Sequence, residues 1–129
     1  MTVQDRYMPV NVTTPAQTPI DDPLVTELDL GDVLLRRVSL RVPPGPSGLV
    51  GAYIDQAGTQ IWPWGTEPAW FIGDNDLVDV PIGTEVDQGI TIVTYNLDYN
   101  PHTLYFRFLA TPISLVTNSS SVVPIVAIA

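Results

Sequence analysis

His102 is the chain's one histidine, so it is the first residue to consider for acid–base or metal chemistry. An imidazole titrates near neutral pH, and the nearby Asp98 and Tyr95 carry side chains that can orient one. A catalytic or metal-binding histidine needs further partners, however, and the chain has no cysteine and no second histidine. We therefore favour a structural role for His102, with its ring nitrogens bonded to loop carbonyls.

A second candidate is the acidic segment GDNDLVD, in which Asp74, Asp76 and Asp79 alternate like the oxygen ligands of a calcium loop. A calcium loop of this type requires glycine at its sixth position, and counting from Asp74 that position holds Asp79. Gly, Asp and Asn are also the residues that form tight turns. We favour a turn and keep calcium binding at Asp74 and Asp76 as the alternative.

Three tryptophans, Trp62, Trp64 and Trp70, lie close together in the sequence, near Tyr53 and Phe71. Exposed indole rings bind sugars or protein partners because they offer a large rigid surface at low entropic cost. The alternative is an aromatic lid over one end of the core, which we favour for most of the cluster. Three tryptophans exceed what so small a core can bury, so we expect one of them to contact a partner.

Arginine supplies every cation in the chain, and four of the five lie in two predicted strands, at Arg36, Arg37, Arg41 and Arg107. On a chain of net charge −9 these residues are candidates for ion pairs with a neighbouring subunit, Arg37 and Arg41 above all. No serine lies in a GxSxG turn, and no glycine-rich phosphate loop is present. We therefore predict no catalytic residue, no cofactor and no metal, and hence no enzyme.

Short strands separated by Pro, Gly, Asn and Asp turns account for most of the chain. Residues 33–42 alternate with period two from Arg37 onward, and residues 89–96 and 103–110 are rich in β-formers. About eight or nine strands at this spacing predict an all-β fold, a single antiparallel β-sandwich with jelly-roll topology as the first choice.

The two ends of the chain differ from this body in composition. Residues 1–23 carry three X-Pro steps and predict an extended arm, although residues 1–10 can add a strand to a sheet edge. Residues 24–117 form the sandwich, and residues 118–129 end in an apolar tail that contains Val123 and Ile125. Neither end can fold alone, so we expect neighbouring molecules to order both, the tail by strand addition or as a last strand of its own sheet.

The charge balance excludes several partners. Fourteen acidic residues against five arginines give a pI near 4.1, which repels nucleic acid and anionic membrane surfaces. No apolar run approaches the roughly 20 residues that span a bilayer, and residues 1–26 lack the pattern of a secretory signal.

The block from Arg41 to Arg107 resembles a small β-sandwich domain of tailed-phage virion proteins. The motifs that carry the resemblance are PPGPSGLVG at 43–51, QIWP at 60–63, WFIGDND at 70–76, YNLD at 95–98 and HTLYFR at 102–107. This resemblance covers about half of the chain and consists of turns and strands without chemistry. It implies a structural virion protein that self-associates, with a homotrimer as the favoured oligomer.

We therefore predict a non-enzymatic phage virion protein, a capsid decoration (cement) protein on the capsid surface that contacts the major capsid protein or other virion proteins. The alternative is a tail or spike protein, or a carbohydrate-binding module, that binds glycan through Trp62, Trp64 and Trp70.

Overall fold

The computed structural model describes residues 5–64, 69–87 and 89–113, and within them the chain is built from β-strands. In chain order these are β1 (Arg6–Thr14), β2 (Leu24–Asp29), β3 (Val33–Val42), β4 (Val50–Gln56), β5 (Thr59–Trp62), β6 (Phe71–Ile72), β7 (Asp76–Val86), β8 (Gly89–Asn96) and β9 (His102–Pro112). The predicted strands 33–42 and 89–96 match β3 and β8 residue for residue.

The strands form two antiparallel sheets in jelly-roll order. β1 pairs with β9, β2 with β8, β3 with β7 and β4 with β5, so the pairs are nested from the outside of the sequence inward. Contacts of β9 with β3 and of β8 with β4 join these pairs into a four-stranded sheet, β1-β9-β3-β7, and a five-stranded sheet, β2-β8-β4-β5 with β6 also on β4. The predicted all-β sandwich is confirmed, and this nested order is that of a jelly roll.

β3 shows how the sequence pattern produces the two faces of a sheet. Its apolar residues Val38, Leu40 and Val42 are buried, whereas the intervening residues face outward, as the period-two alternation predicts. The register against β9 slips between Leu35 and Arg37, so that Arg36 is the extra residue of a β-bulge in that pairing. The bulge resets the alternation, which is why the clean pattern starts only after it.

The core lies between the two sheets and is filled by the inward faces of the central strands. The phenylalanine rings of β9, Phe106 and Phe108, lie parallel with their centroids 6.0 Å apart. The largest side chains with almost no solvent exposure come from both sheets: Phe106, Phe108, Leu35, Leu40, Ile54, Ile92 and Leu104. Burial of this apolar surface is the main term that stabilises the fold.

Residues 6–14 belong to the sheet: residues 6–10 form the edge strand that the sequence allowed, and residues 11–14, which it assigned to the arm, extend that strand. They form the edge strand β1 and pair with β9 from Arg6–Ala110 to Thr14–His102, with Val12 and Thr14 buried. For this segment the expectation that a neighbouring molecule must supply the order is wrong, because β9 of the same chain supplies the backbone partners. Pro9 fits here because one side of an edge strand has no partner. The division of the chain at residues 23 and 117 stays a prediction.

Leucine-to-alanine substitutions on the two faces of the four-stranded sheet test this architecture. Leu40 on β3 has 0% exposure, and Leu77 on the neighbouring β7 has 71%. We expect Leu40→Ala to lower the free energy of unfolding by about 2–5 kcal/mol, because it leaves a cavity between the sheets. The matched control Leu77→Ala changes it by about 0.5 kcal/mol or less. Urea unfolding of both variants measures the difference, and equal losses would contradict the assignment of faces.

Candidate interaction surfaces

The three tryptophans of the predicted aromatic cluster are separated by the fold. Trp62 ends β5 and turns inward, where it is 6% exposed and its ring centroid lies 5.3 Å from that of Phe71. It belongs to the core, so it is not available to a ligand. The prediction of a partner site at Trp62 therefore does not agree with its position.

Trp70 lies on the outer face of the five-stranded sheet, between Tyr53 and Tyr95. Both tyrosine rings meet the indole edge-on, each with a centroid distance of 4.8 Å. Tyr95 is 3% exposed, and its ring covers Gly51, where a Cβ atom would lie 2.2 Å from the ring. Burial raises the pKa of the Tyr95 phenol. These contacts hold Trp70 in a small aromatic cluster outside the main core.

Trp64 is the tryptophan that faces solvent, with 74% exposure. β5 and β6 lie successively along the same edge of β4, so the strand on that edge stops after Trp62 and resumes at Phe71, and Trp64 lies just beyond the break. The Gln60 side chain ties the two ends of this connection together: its amide nitrogen donates to the carbonyls of Pro63 (2.6 Å) and Ala69 (2.7 Å), and its oxygen accepts from the Ala69 N–H (3.2 Å). One of the three tryptophans thus presents its ring to solvent, and its contact with a partner stays a prediction.

The outer face of the four-stranded sheet gathers three of the chain's five arginines. The backbone register places Arg41 beside Tyr105 and Leu77, while Arg107 lies in the next row and Arg37 in the row after that. We call this surface the Arg face and define it by Arg37, Arg41, Arg107, Tyr7, Tyr105 and Leu77. The sequence singled out Arg37 and Arg41 but gave no signal for the contact of Arg107 with Tyr7, because that contact depends on the pairing of β1 with β9.

The arginines differ in their partners. Arg37 pairs with Asp79 on β7, with Nε 3.1 Å from Oδ1. Arg36, at the bulge, does not belong to the Arg face. Its Nε lies 3.4 Å from Asp5 Oδ1 and donates to the Thr111 hydroxyl. The guanidinium carbon of Arg107 lies 6.0 Å from the centre of the Tyr7 ring.

Four turns meet at one end of the sandwich, which we call the loop end: residues 15–23, 43–49, 73–75 and 97–101. Backbone hydrogen bonds join them, from Gln17 N–H to the Asp98 carbonyl (2.9 Å) and from Leu97 N–H to the Leu49 carbonyl (2.8 Å). The buried Asn96 side chain adds bonds to the carbonyls of Thr14 and Asn100. The loop end is therefore one connected structure.

His102 also helps to hold the loop end together. Its Nε2 lies 2.7 Å from Asp98 Oδ2, and the two side chains are 15% and 19% exposed. The His102 hydrogen bond, aided by the Tyr99 N–H, lowers the pKa of the Asp98 carboxyl. The predicted structural role of His102 agrees with this geometry, although the ring bonds to a carboxylate where a loop carbonyl was expected.

Asp74 and Asp76 form a turn, as the sequence analysis favoured. Asp74 Oδ1 accepts the N–H groups of Gly45 (2.9 Å) and Ser47 (3.0 Å), and both bonds lower the pKa of the Asp74 carboxyl. Asp76 Oδ2 in turn accepts the Asp74 N–H at 2.9 Å. In the part of the chain that the structure describes, no three His, Asp or Glu side chains are grouped to hold a metal ion. Within the same residues, no helix has the length and apolarity to cross a membrane.

The predicted tail contacts at Val123 and Ile125 lie outside the described residues and stay a prediction.

Comparison with solved structures finds a chain of the cyanophage Pam1 capsid asymmetric unit that is similar in fold. The two chains are 10% identical in sequence, the likeness covers 85% of this chain and 86% of that chain, and the TM-score is 0.52. No protein-family model matches the sequence, and no curated protein matches it. At this identity the likeness concerns the fold.

The lowered pKa of Asp98 predicts how stability depends on pH. A carboxyl whose pKa is lower in the folded than in the unfolded chain stabilises the fold above its ordinary value of 3.8, and this contribution is lost as the pH falls through the folded pKa. We expect Asp98→Asn to unfold at a lower urea concentration than the parent protein at pH 7, and the difference to shrink below about pH 4.

The control for this experiment is Asp21→Asn, at an exposed position in the turn before β2. It removes the same charge without removing a bond to His102. An equal effect of the two substitutions at pH 7 would show that net charge, and not the Asp98–His102 contact, stabilises the fold.

Proposed function

We propose that this protein is a non-enzymatic structural component of a phage virion and that it acts as a decoration (cement) protein on the capsid. The observation that carries the proposal is the correspondence of nearly whole chains, 85% of this one and 86% of the other, with a chain of a phage capsid asymmetric unit. A jelly roll is also an architecture that capsid proteins use to form shells.

The surfaces support a binding role. The Arg face combines positive charge with the large exposed side chains of Tyr7 (65%) and Leu77 (71%), on a chain of net charge −9. Trp64 supplies a separate exposed aromatic anchor. Exposed aromatic and arginine side chains are the residues that most often dominate binding energy at protein interfaces.

The titratable groups of the described residues support a non-enzymatic role. Asp98 and His102 bond to each other, and Asp74 is occupied by two backbone N–H groups. These bonds hold the turns of the loop end together. The chemistry at the loop end is that of structural support.

Immunogold labelling of purified virions tests the location. With an antibody against this protein, we expect gold particles over the heads of intact particles and none along the tails. Heads from a phage that lacks the gene should release their DNA at a lower temperature than the same heads after the purified protein is added back, because a cement protein cross-links its neighbours. Labelling confined to the tails, or its absence from virions, would contradict the proposal.

The exposure of Trp64 favours a second candidate, a carbohydrate-binding protein of the tail or spike, since jelly rolls also occur as lectin domains. On the decoration proposal we expect no ligand on a glycan array. Sugar binding that is lost in Trp64→Ala and kept in Tyr99→Ala, which removes an equally exposed aromatic ring at the loop end, would establish the alternative. Calorimetry with the array hit measures both variants.

A further inference from the structure

The Arg face has the charge, the exposed side chains and the shape of a binding surface. Within residues 5–64, 69–87 and 89–113, no carboxylate forms an ion pair with Arg41 or Arg107, whereas Arg37 is paired with Asp79. The face also exposes Tyr105 (43%), and a groove of ≈ 570 Å³ crosses it, lined by Arg41, Arg107 and Tyr105 among others. A partner that fits must bring both carboxylates and apolar side chains.

We propose that the Arg face docks on the loop end of a second copy of this chain. The loop end offers the matching chemistry: it exposes Leu97 (43%) and Tyr99 (81%), and the exposed carboxylates of Asp21 and Asp22 lie in the first of its four turns. Asp74 adds a carboxyl whose pKa is lowered, so it is ionised at neutral pH. Complementary charge and complementary apolar surface therefore occur on the same molecule.

The other acidic surface fits less well. A groove at the opposite end of the five-stranded sheet is lined by Glu27, Asp29 and Asp87, but its lining has no exposed aromatic ring to meet Tyr7 or Tyr105. The loop end is also held in shape by hydrogen bonds between its turns, so little conformational entropy remains to be lost when it docks. Both considerations favour the loop end.

The contact is heterologous, because it joins two different surfaces. The Arg face is the outer face of the four-stranded sheet, and the loop end lies across the ends of the strands. Repeated head-to-tail contacts of this kind close into a ring when the rotation permits. The inference rests on the proposed function, since it names the surfaces through which a self-associating decoration protein meets its neighbour.

Charge reversal on each surface tests the contact. By light scattering after gel filtration, we expect the parent protein to be oligomeric at low salt and to dissociate in about 1 M NaCl, where the Debye length falls to about 3 Å. The variant Arg41→Glu/Arg107→Glu and the variant Asp21→Arg/Asp22→Arg should each weaken self-association by about tenfold or more. The matched controls are Arg6→Glu, which lies on β1 outside the Arg face, and Asp32→Arg, which lies in the turn between β2 and β3. Both should associate like the parent.

Mixing the two reversed variants distinguishes a head-to-tail contact from any other. The first variant keeps a native loop end and the second keeps a native Arg face, so an equimolar mixture should associate at concentrations at which each variant alone stays monomeric. A mixture that stays monomeric would overturn the proposal, provided that circular dichroism shows both variants folded.

Two further results would overturn the contact without touching the proposed function. One is a parent protein that is monomeric at every concentration measured and yet labels phage heads. The other is a monomeric parent whose attachment to heads is lost in Arg41→Glu/Arg107→Glu, which would make the occupant of the Arg face another virion protein. Failure of the head labelling with intact self-association would instead refute the virion role and keep the contact.

Discussion

The backbone register of β3 between β9 and β7 is the constraint on which the outer surface of the four-stranded sheet depends. Val38 and Leu40 must face the core, so Arg37 and Arg41 must face solvent. The pairing of Ser39 with Arg107 then brings a third arginine onto the same face. A slip of one residue in either pairing would bury these charges, so burial of the core and presentation of the Arg face are two results of one arrangement.

The ends of the sandwich depend on a different interaction, the capture of backbone N–H and carbonyl groups by side chains. Asp74 accepts two N–H groups from the turn 43–49, and Gln60 joins both ends of the connection between β5 and β6. The side-chain amide of Asn96 donates to the Asn100 carbonyl and so holds the turn after β8. The Gln60 and Asn96 bonds are partly buried, where the exclusion of water strengthens them, whereas the Asp74 bonds are exposed. Together they hold the loops in fixed positions without an apolar core of their own.

The jelly roll does not by itself select a function, because shell-forming proteins and lectins share it. What separates the possibilities is the chemistry on the outside of the sheets. The carboxyl groups with a lowered pKa, Asp74 and Asp98, are bonded within the loop end, and large exposed side chains lie on the sheet faces and in the turns. This distribution suits association with large surfaces and supports the assembly role proposed above.

The sequence by itself determined the local features of this protein. Period-two alternation located β3, a run of β-forming residues located β8, and turn-forming residues located the loops. These inferences succeed because side-chain direction in a strand repeats every two residues, and because turn geometry depends on a few adjacent residues.

The tertiary structure decided what depends on partners far apart in the chain. The pairing of β1 with β9 made residues 6–14 part of the sheet, and the bulge at Arg36 changed which side chains face outward. The division of the tryptophans into buried Trp62, packed Trp70 and exposed Trp64 arose because one strand is interrupted between them. No local pattern encodes these outcomes, since each follows from which strands become neighbours when the core closes.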